Sequence, residues 1–165
     1  MTTQDRRIIT EIKYLKEKYN DVNINIQNDI AEVIVQYPKE SKYPKVKFLM
    51  KGNYPFHSPL VYVFVDGKET TYLKSTIYHN FPRIIQCIET LKKMGSTSIP
   101  GDCFCCNSIL CDLWSPACLL EKVIDEIMQI NYIKQQVKVL LGLNDIGKKY
   151  ALPEDIERYI FEFLY

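Results

Sequence analysis

The 165-residue chain lacks a long apolar run, an internal repeat, a low-complexity tract and a linker rich in glycine or serine. Without roughly 18 consecutive apolar residues, no segment reads as a membrane span, so no membrane partner is expected. An excess of one charge is missing too: 21 basic residues stand against 20 acidic ones, a formal net charge of +1. Binding to a phosphate backbone wants a concentrated basic face, so a nucleic-acid partner is not expected. Arginine is scarce, occurring only at Arg6, Arg7, Arg83 and Arg158, and lysine carries the rest of the positive charge. That scarcity, with abundant Ile, Asn and Tyr, suits an AT-rich genome such as that of a large DNA virus, and says nothing about chemistry. The opening MTTQDRRIITEIKYLKEKY is too charged for a signal peptide. The expected location is therefore cytoplasmic and/or nuclear (host cytoplasm for a viral chain), where thiols stay reduced.

What is present is ordinary globular composition, 47% hydrophobic and 25% charged, in a length that suits one domain with a substantial core. Six cysteines in a reducing compartment point to chemistry, metal binding or simple burial before they point to disulfides.

The periodicity predicts the elements. Ile8, Ile9, Ile12 and Leu15 recur at helical spacing, with Thr3 as N-cap. Val22, Ile24 and Ile26 alternate with polar residues as a first strand, Asn28 and Asp29 make a turn, and Val33, Val35 and Tyr37 start a second strand. After a turn at PKES, Val46, Phe48 and Met50 give a third strand, and LVYVFV at 60–65 gives a more buried fourth. From Asp66 to Phe104 the pattern fades, leaving one short helix, RIIQCIETLKKM, and a loop, GSTSIPGD. A long helix follows, with Ser115 as N-cap, Pro116 at its first position, apolar residues from Leu119 to Ile133, and Gly142 as its stop. A second Pro-started helix, LPEDIERYIFEFLY, puts Ile156, Tyr159, Ile160 and Phe163 on one stripe. The predicted class is α+β: an N-terminal helix, a four-stranded antiparallel meander, a Cys-bearing loop, a long helix and an extra C-terminal helix. The expected organisation is a core domain over 1–142 and a helical tail over 143–165.

The segment CNSILCDLWSPA, 106–117, carries the densest chemistry, with Cys106 eight residues before Trp114, the only tryptophan. Cys106 reads as a nucleophile, a metal ligand or a small core residue. Cys103 and Cys106 form a C-x-x-C that Cys111 and Cys118 would complete as four thiolates, but neither a second C-x-x-C nor a paired histidine accompanies it. Metal and cofactor are therefore not expected. A buried thiol is the default for cysteine.

Helix, meander, Cys-bearing loop and helix is the order of the ubiquitin-conjugating enzyme fold, and three stretches of sequence resemble that family. GNYPFHSPLVYVF at 52–64 is similar to its Tyr-Pro-Phe-x-x-Pro segment. IYHN at 77–80 is similar to its His-Pro-Asn motif without the proline. CNSILCDLWSPA is similar to its active-site line, with Cys, Ile, Leu, Trp, Ser, Pro and Ala in register. The resemblance spans about residues 5–130. It implies a transferase that accepts ubiquitin or a ubiquitin-like modifier as a thioester on Cys106 and passes it to a substrate lysine, a task suited to a thiolate. It assigns Asn80 to stabilising the oxyanion, and Phe56, Pro116 and Ala117 to gripping a RING or U-box ligase. It also brings Arg6, Arg7, Lys13 and Lys16 to the ubiquitin-activating enzyme. Trp114 would anchor the loop that carries Cys106.

The departures are equally concrete. Asn107 and Ser108 replace the Leu and Asp that follow the nucleophile, and about 25 residues lie between Asn80 and Cys106 where the family has a much shorter gap. Cys105 is a neighbouring thiol able to attack in place of Cys106. His79 is expected to pack or to bond backbone, and His57 to be solvated. The tail LPEDIERYIFEFL resembles the opening of an F-box and is too short to complete one, so it reads as a packing or docking helix. The same scaffold also occurs as a catalytically inactive, RWD-type protein-binding module with the Tyr-Pro-x-x-x-Pro signature, here Tyr54 to Pro59.

Overall fold

The computed structural model describes residues 3–27, 30–36, 45–65, 67–76, 81–95, 106, 108–111, 113–153, 156 and 160, with the side chains of 3 and 65 left aside. The class is α+β. Helix α1 (Thr3–Lys18) is followed by strands β1 (Asp21–Gln27), β2 (Ile30–Gln36), β3 (Lys45–Met50), β4 (Leu60–Val65) and β5 (Lys68–Thr71). Helices α2 (Tyr72–Ser75), α3 (Pro82–Lys93) and α4 (Leu120–Tyr150) come next. The chain divides into two compact units, Met1–Ile77 with Phe104–Ile127, and Tyr78–Cys103 with Met128–Tyr165.

In the first unit the strands lie in sequence order as an antiparallel sheet. Period-two alternation decides which face is buried: Val33 sits opposite Phe48 and Val35 opposite Val46, and all four are fully buried. Val61 and Val63 continue the same face on β4. The core is completed by Ile8 and Leu15 of α1, by Tyr19 just beyond its end, and by Leu120, Val123, Ile124 and Ile127 of α4. The sheet has five strands, not the predicted four. The fifth pairs Val65 with Lys68, and Gly67 before it takes a left-handed φ of 77°, a conformation open to glycine at little cost.

The second unit contains α3 and the part of α4 from Met128 onward. Pro82 occupies the first turn of α3, and Cys87, Ile88 and Leu91 form its buried stripe. Ile130, Ile133, Val137, Leu140 and Leu143 are the buried large apolar residues of α4 in this unit, and Arg83 pairs with Asp145.

Two predicted helix boundaries are corrected. The long helix begins at Leu120 rather than after Ser115: the Cys118 N–H donates to the Ser115 carbonyl at 2.9 Å, which places Pro116 in a tight turn ahead of the helix. Gly142 is not a stop either, since α4 continues through it to Tyr150 and its φ is not left-handed. Of the closing helix, Ile156 and Ile160 are helical, whereas Tyr159 and Phe163 lie outside the described residues. The predicted turns at Asn28–Asp29 and at PKES, together with Tyr37, also lie outside them.

Candidate active site

The site is built around the turn that follows Cys106. Cys106 is solvent-exposed, and two residues later Ser108 is completely buried. The chain reverses between them and Cys111, whose N–H donates to the Ser108 carbonyl at 3.0 Å. Glu126, near the end of the first unit's share of α4, holds this turn from below. Its Oε1 accepts the Ser108 hydroxyl at 2.7 Å and the Tyr72 hydroxyl at 2.9 Å, and its Oε2 accepts the Ile109 N–H at 2.7 Å. The Ser108 Oγ in turn accepts the Leu110 N–H at 3.2 Å.

Downstream, the half-buried Trp114 donates its indole N–H to the Pro55 carbonyl at 2.8 Å, and its ring lies 6.0 Å from that of Tyr54, tilted by 44°. This bond ties the cysteine segment to the 51–57 turn, where Tyr54 N–H bonds the Lys51 carbonyl and His57 N–H bonds the Asn53 carbonyl. Tyr54, Pro55 and Pro59 are buried, while Phe56 stands out between them at 73% exposure. Pro116 and Ala117, two and three residues beyond Trp114, are exposed, as is Leu113 at 63%. A groove of about 320 Å³ beside this turn is lined by Leu49, Lys51 and His57 among others, and Cys106 is not part of it.

Beneath the tryptophan lies a polar cluster that the apolar spacing conceals. Glu11, fully buried in the middle of α1, pairs with Arg7 at 2.7 Å and accepts the Tyr54 hydroxyl at 3.0 Å. Its second oxygen accepts the Leu120 N–H at 3.0 Å, capping the N-terminus of α4 from another helix. Arg7 also donates to the Cys118 carbonyl at 2.6 Å. Burial is the largest influence on the Glu11 carboxyl and raises its pKa, against the opposing pull of the Leu120 amide and Arg7. Burial likewise pushes the Tyr54 phenol up, with the Glu11 charge adding to it.

The other predicted residues distribute as follows. Arg6, Lys13 and Lys16 are exposed on α1, whereas Arg7 turns inward to Glu11 and Cys118. Asn80, His79, Cys103, Cys105 and Asn107 lie outside the described residues. Among the described residues, no three His, Cys, Asp or Glu side chains gather as a metal site would require. Cys118 is half-buried, its Sγ 3.5 Å from the Ser115 hydroxyl. Cys87 is a core thiol of the second unit, and burial raises its pKa. His57 is exposed. Among the described residues no helix is long and apolar enough to cross a membrane.

Comparison with known proteins adds no relative: no family model, no curated protein and no solved structure matches this chain.

Proposed function

We propose that the chain is a ubiquitin-conjugating transferase that carries ubiquitin, or a related modifier, on Cys106. The observation that carries this reading is the contrast along five residues: an exposed Cys106 beside a wholly buried Ser108 and a buried Leu110. A thiol that must exchange acyl groups with another protein has to be reachable by that protein while its loop stays fixed. In the proposed reaction the Cys106 thiolate attacks the carbonyl carbon of the modifier's C-terminal thioester on the activating enzyme and expels that enzyme's thiolate. A substrate amine then attacks the new thioester, loses a proton, expels the Cys106 thiolate and leaves an isopeptide bond. Asn80 is the proposed donor to the developing oxyanion.

Phe56 and the Pro116–Ala117 pair are the proposed ligase contacts. An aromatic side chain held out between two buried prolines is a pre-ordered anchor, and the Trp114–Pro55 bond ties its segment to the one that bears Pro116. Arg6, Lys13 and Lys16 are the proposed contacts for an acidic domain of the activating enzyme.

The test is a charging assay with activating enzyme, ATP and ubiquitin. The expected result is a modified species that thiol reagents remove, that Cys106→Ala abolishes, and that discharges onto free lysine. Absence of charging with ubiquitin and with related modifiers would favour the alternative, a non-catalytic protein-binding module presenting the same Phe56 surface.

A further inference from the structure

Three donors from two separated stretches of chain end on the single carboxylate of Glu126. Ser108 and Ile109 come from just after Cys106, and Tyr72 comes from the first position of α2. Between those stretches the chain leaves the first unit, at Ile77, and returns to it at Phe104. Glu126 therefore holds the departing and the returning strand of chain at one point. All three donors belong to the first unit, so the arrangement is complete within it.

The chemistry of the carboxylate matches the task. It accepts at both oxygens and has several lone-pair directions, so a backbone amide and two hydroxyls are satisfied together. Ser108 is fitted to it in the opposite sense. Its hydroxyl donates to Glu126 and still accepts the Leu110 N–H. A carboxylate at position 108 would instead face Glu126 with like charge. The result is a turn pinned at its buried side, with Cys106 projecting from its exposed side.

We propose that Glu126 is the positioning residue of the Cys106 loop, holding the turn at 108–111 so that the thiol meets the incoming thioester in one geometry. This rests on the conjugating-enzyme reading. Loss of the clamp affects alignment, and misplacement of a reacting group by about 1 Å is worth on the order of a hundredfold in rate. Binding of the protein donor, which uses other surfaces, is untouched.

The experiment compares the full chain with its Glu126→Ala and Glu126→Gln variants. Glu126→Ala is expected to lower kcat for thioester formation by about a hundredfold and to leave KM for the charged activating enzyme unchanged. The Ile109 and Leu110 amides are expected to exchange with solvent about tenfold faster or more, as for a locally opened turn. Glu126→Gln restores part of both, because its carbonyl still accepts from Ile109, while its amide can donate to the oxygens of Ser108 and Tyr72 but cannot accept from their hydroxyls. A wild-type kcat in Glu126→Ala, wild-type exchange at 109–110, or a rise in KM alone overturns the positioning role. Where Glu126→Ala fails to fold, Ser108→Ala carries the same two measurements. Failure of the wild-type chain to charge overturns the conjugating reading and the role of Glu126 in transfer together. A wild-type chain that charges beside an unaffected Glu126→Ala overturns the positioning role alone.

Discussion

Replacing Glu11 by alanine removes the acceptor on which a guanidinium, a phenol and a helix N-terminus depend. In the native chain Glu11 has no exposure, and the Arg7 side chain retains 22%. Deleting the carboxylate strands the Arg7 charge in a partly buried place, and breaking such a pair from one side costs about 3–5 kcal/mol. The Tyr54 hydroxyl and the Leu120 N–H lose their acceptor as well, at about 1–3 kcal/mol each, costs that overlap with the first rather than add to it. A loss of about 3–5 kcal/mol is a third or more of a typical folding free energy. In a chain of this size it lowers Tm by roughly 10 °C. Denaturant titration at pH 7 measures it. The pH dependence supplies an independent check. Burial raises the Glu11 pKa, so across the window from the ordinary carboxylate value up to that raised value the folded chain holds more protons than the unfolded one. Glu11's contribution to stability is therefore fully present below the ordinary value, declines as pH climbs through the window, and is level above it. Glu11→Gln should flatten that decline. A Glu11→Ala loss below about 1 kcal/mol, or a Glu11 contribution that grows with pH across the window, would refute the account of this cluster.

Other outcomes follow from single features. Gly142 lies inside α4 with open space where a Cβ would stand, so Gly142→Ala should stabilise the chain by about 0.5–1 kcal/mol in denaturant titration; destabilisation would mean that the helix ends there. Trp114→Phe keeps an aromatic ring beside Tyr54 but loses the donor to the Pro55 carbonyl, with an expected loss of about 1 kcal/mol by the same assay. Burial pulls the Lys134 pKa down to about 8, so between there and its ordinary value the unfolded chain holds more protons. Lys134's own contribution to stability should rise with pH in that window by on the order of 3 kcal/mol, and the difference between wild type and Lys134→Met should show it.

The sheet is readable because apolar residues alternate along β3 and form short β-branched or aromatic runs on β2 and β4, and each predicted apolar position at Val33, Val35, Val46, Phe48 and Met50 is buried. The fifth strand, KETT, has no apolar residue to mark it, and its pairing is announced only by the Asp66–Gly67 dipeptide ahead of it, a hairpin signal that periodicity ignores. The start of α4 was misplaced because Ser115 and Pro116 are ideal local helix-starters, while the true cap, Glu11, comes from more than a hundred residues away. No local rule sees a tertiary cap. Glu11 did leave a trace: it occupies the inward stripe Ile8–Glu11–Leu15 of α1, an unusual place for a carboxylate. Glu126 left none, for its partners are two hydroxyls and a backbone amide with no sequence signature. Cys106, Phe56, Pro116 and Ala117 are singled out by register with Trp114 and by the Tyr-Pro-Phe segment, and of these candidates the structure gives the exposure, which all four share.

The central proposal is that Cys106 carries the acyl group, and intact-mass measurement with peptide mapping tests it most directly. After incubation with activating enzyme, ATP and ubiquitin, the chain should gain the mass of ubiquitin less one water. The adduct should map to Cys106, disappear on thiol treatment, persist in Cys105→Ala and be absent in Cys106→Ala. An unmodified wild-type chain, or an adduct that survives in Cys106→Ala, would contradict the account.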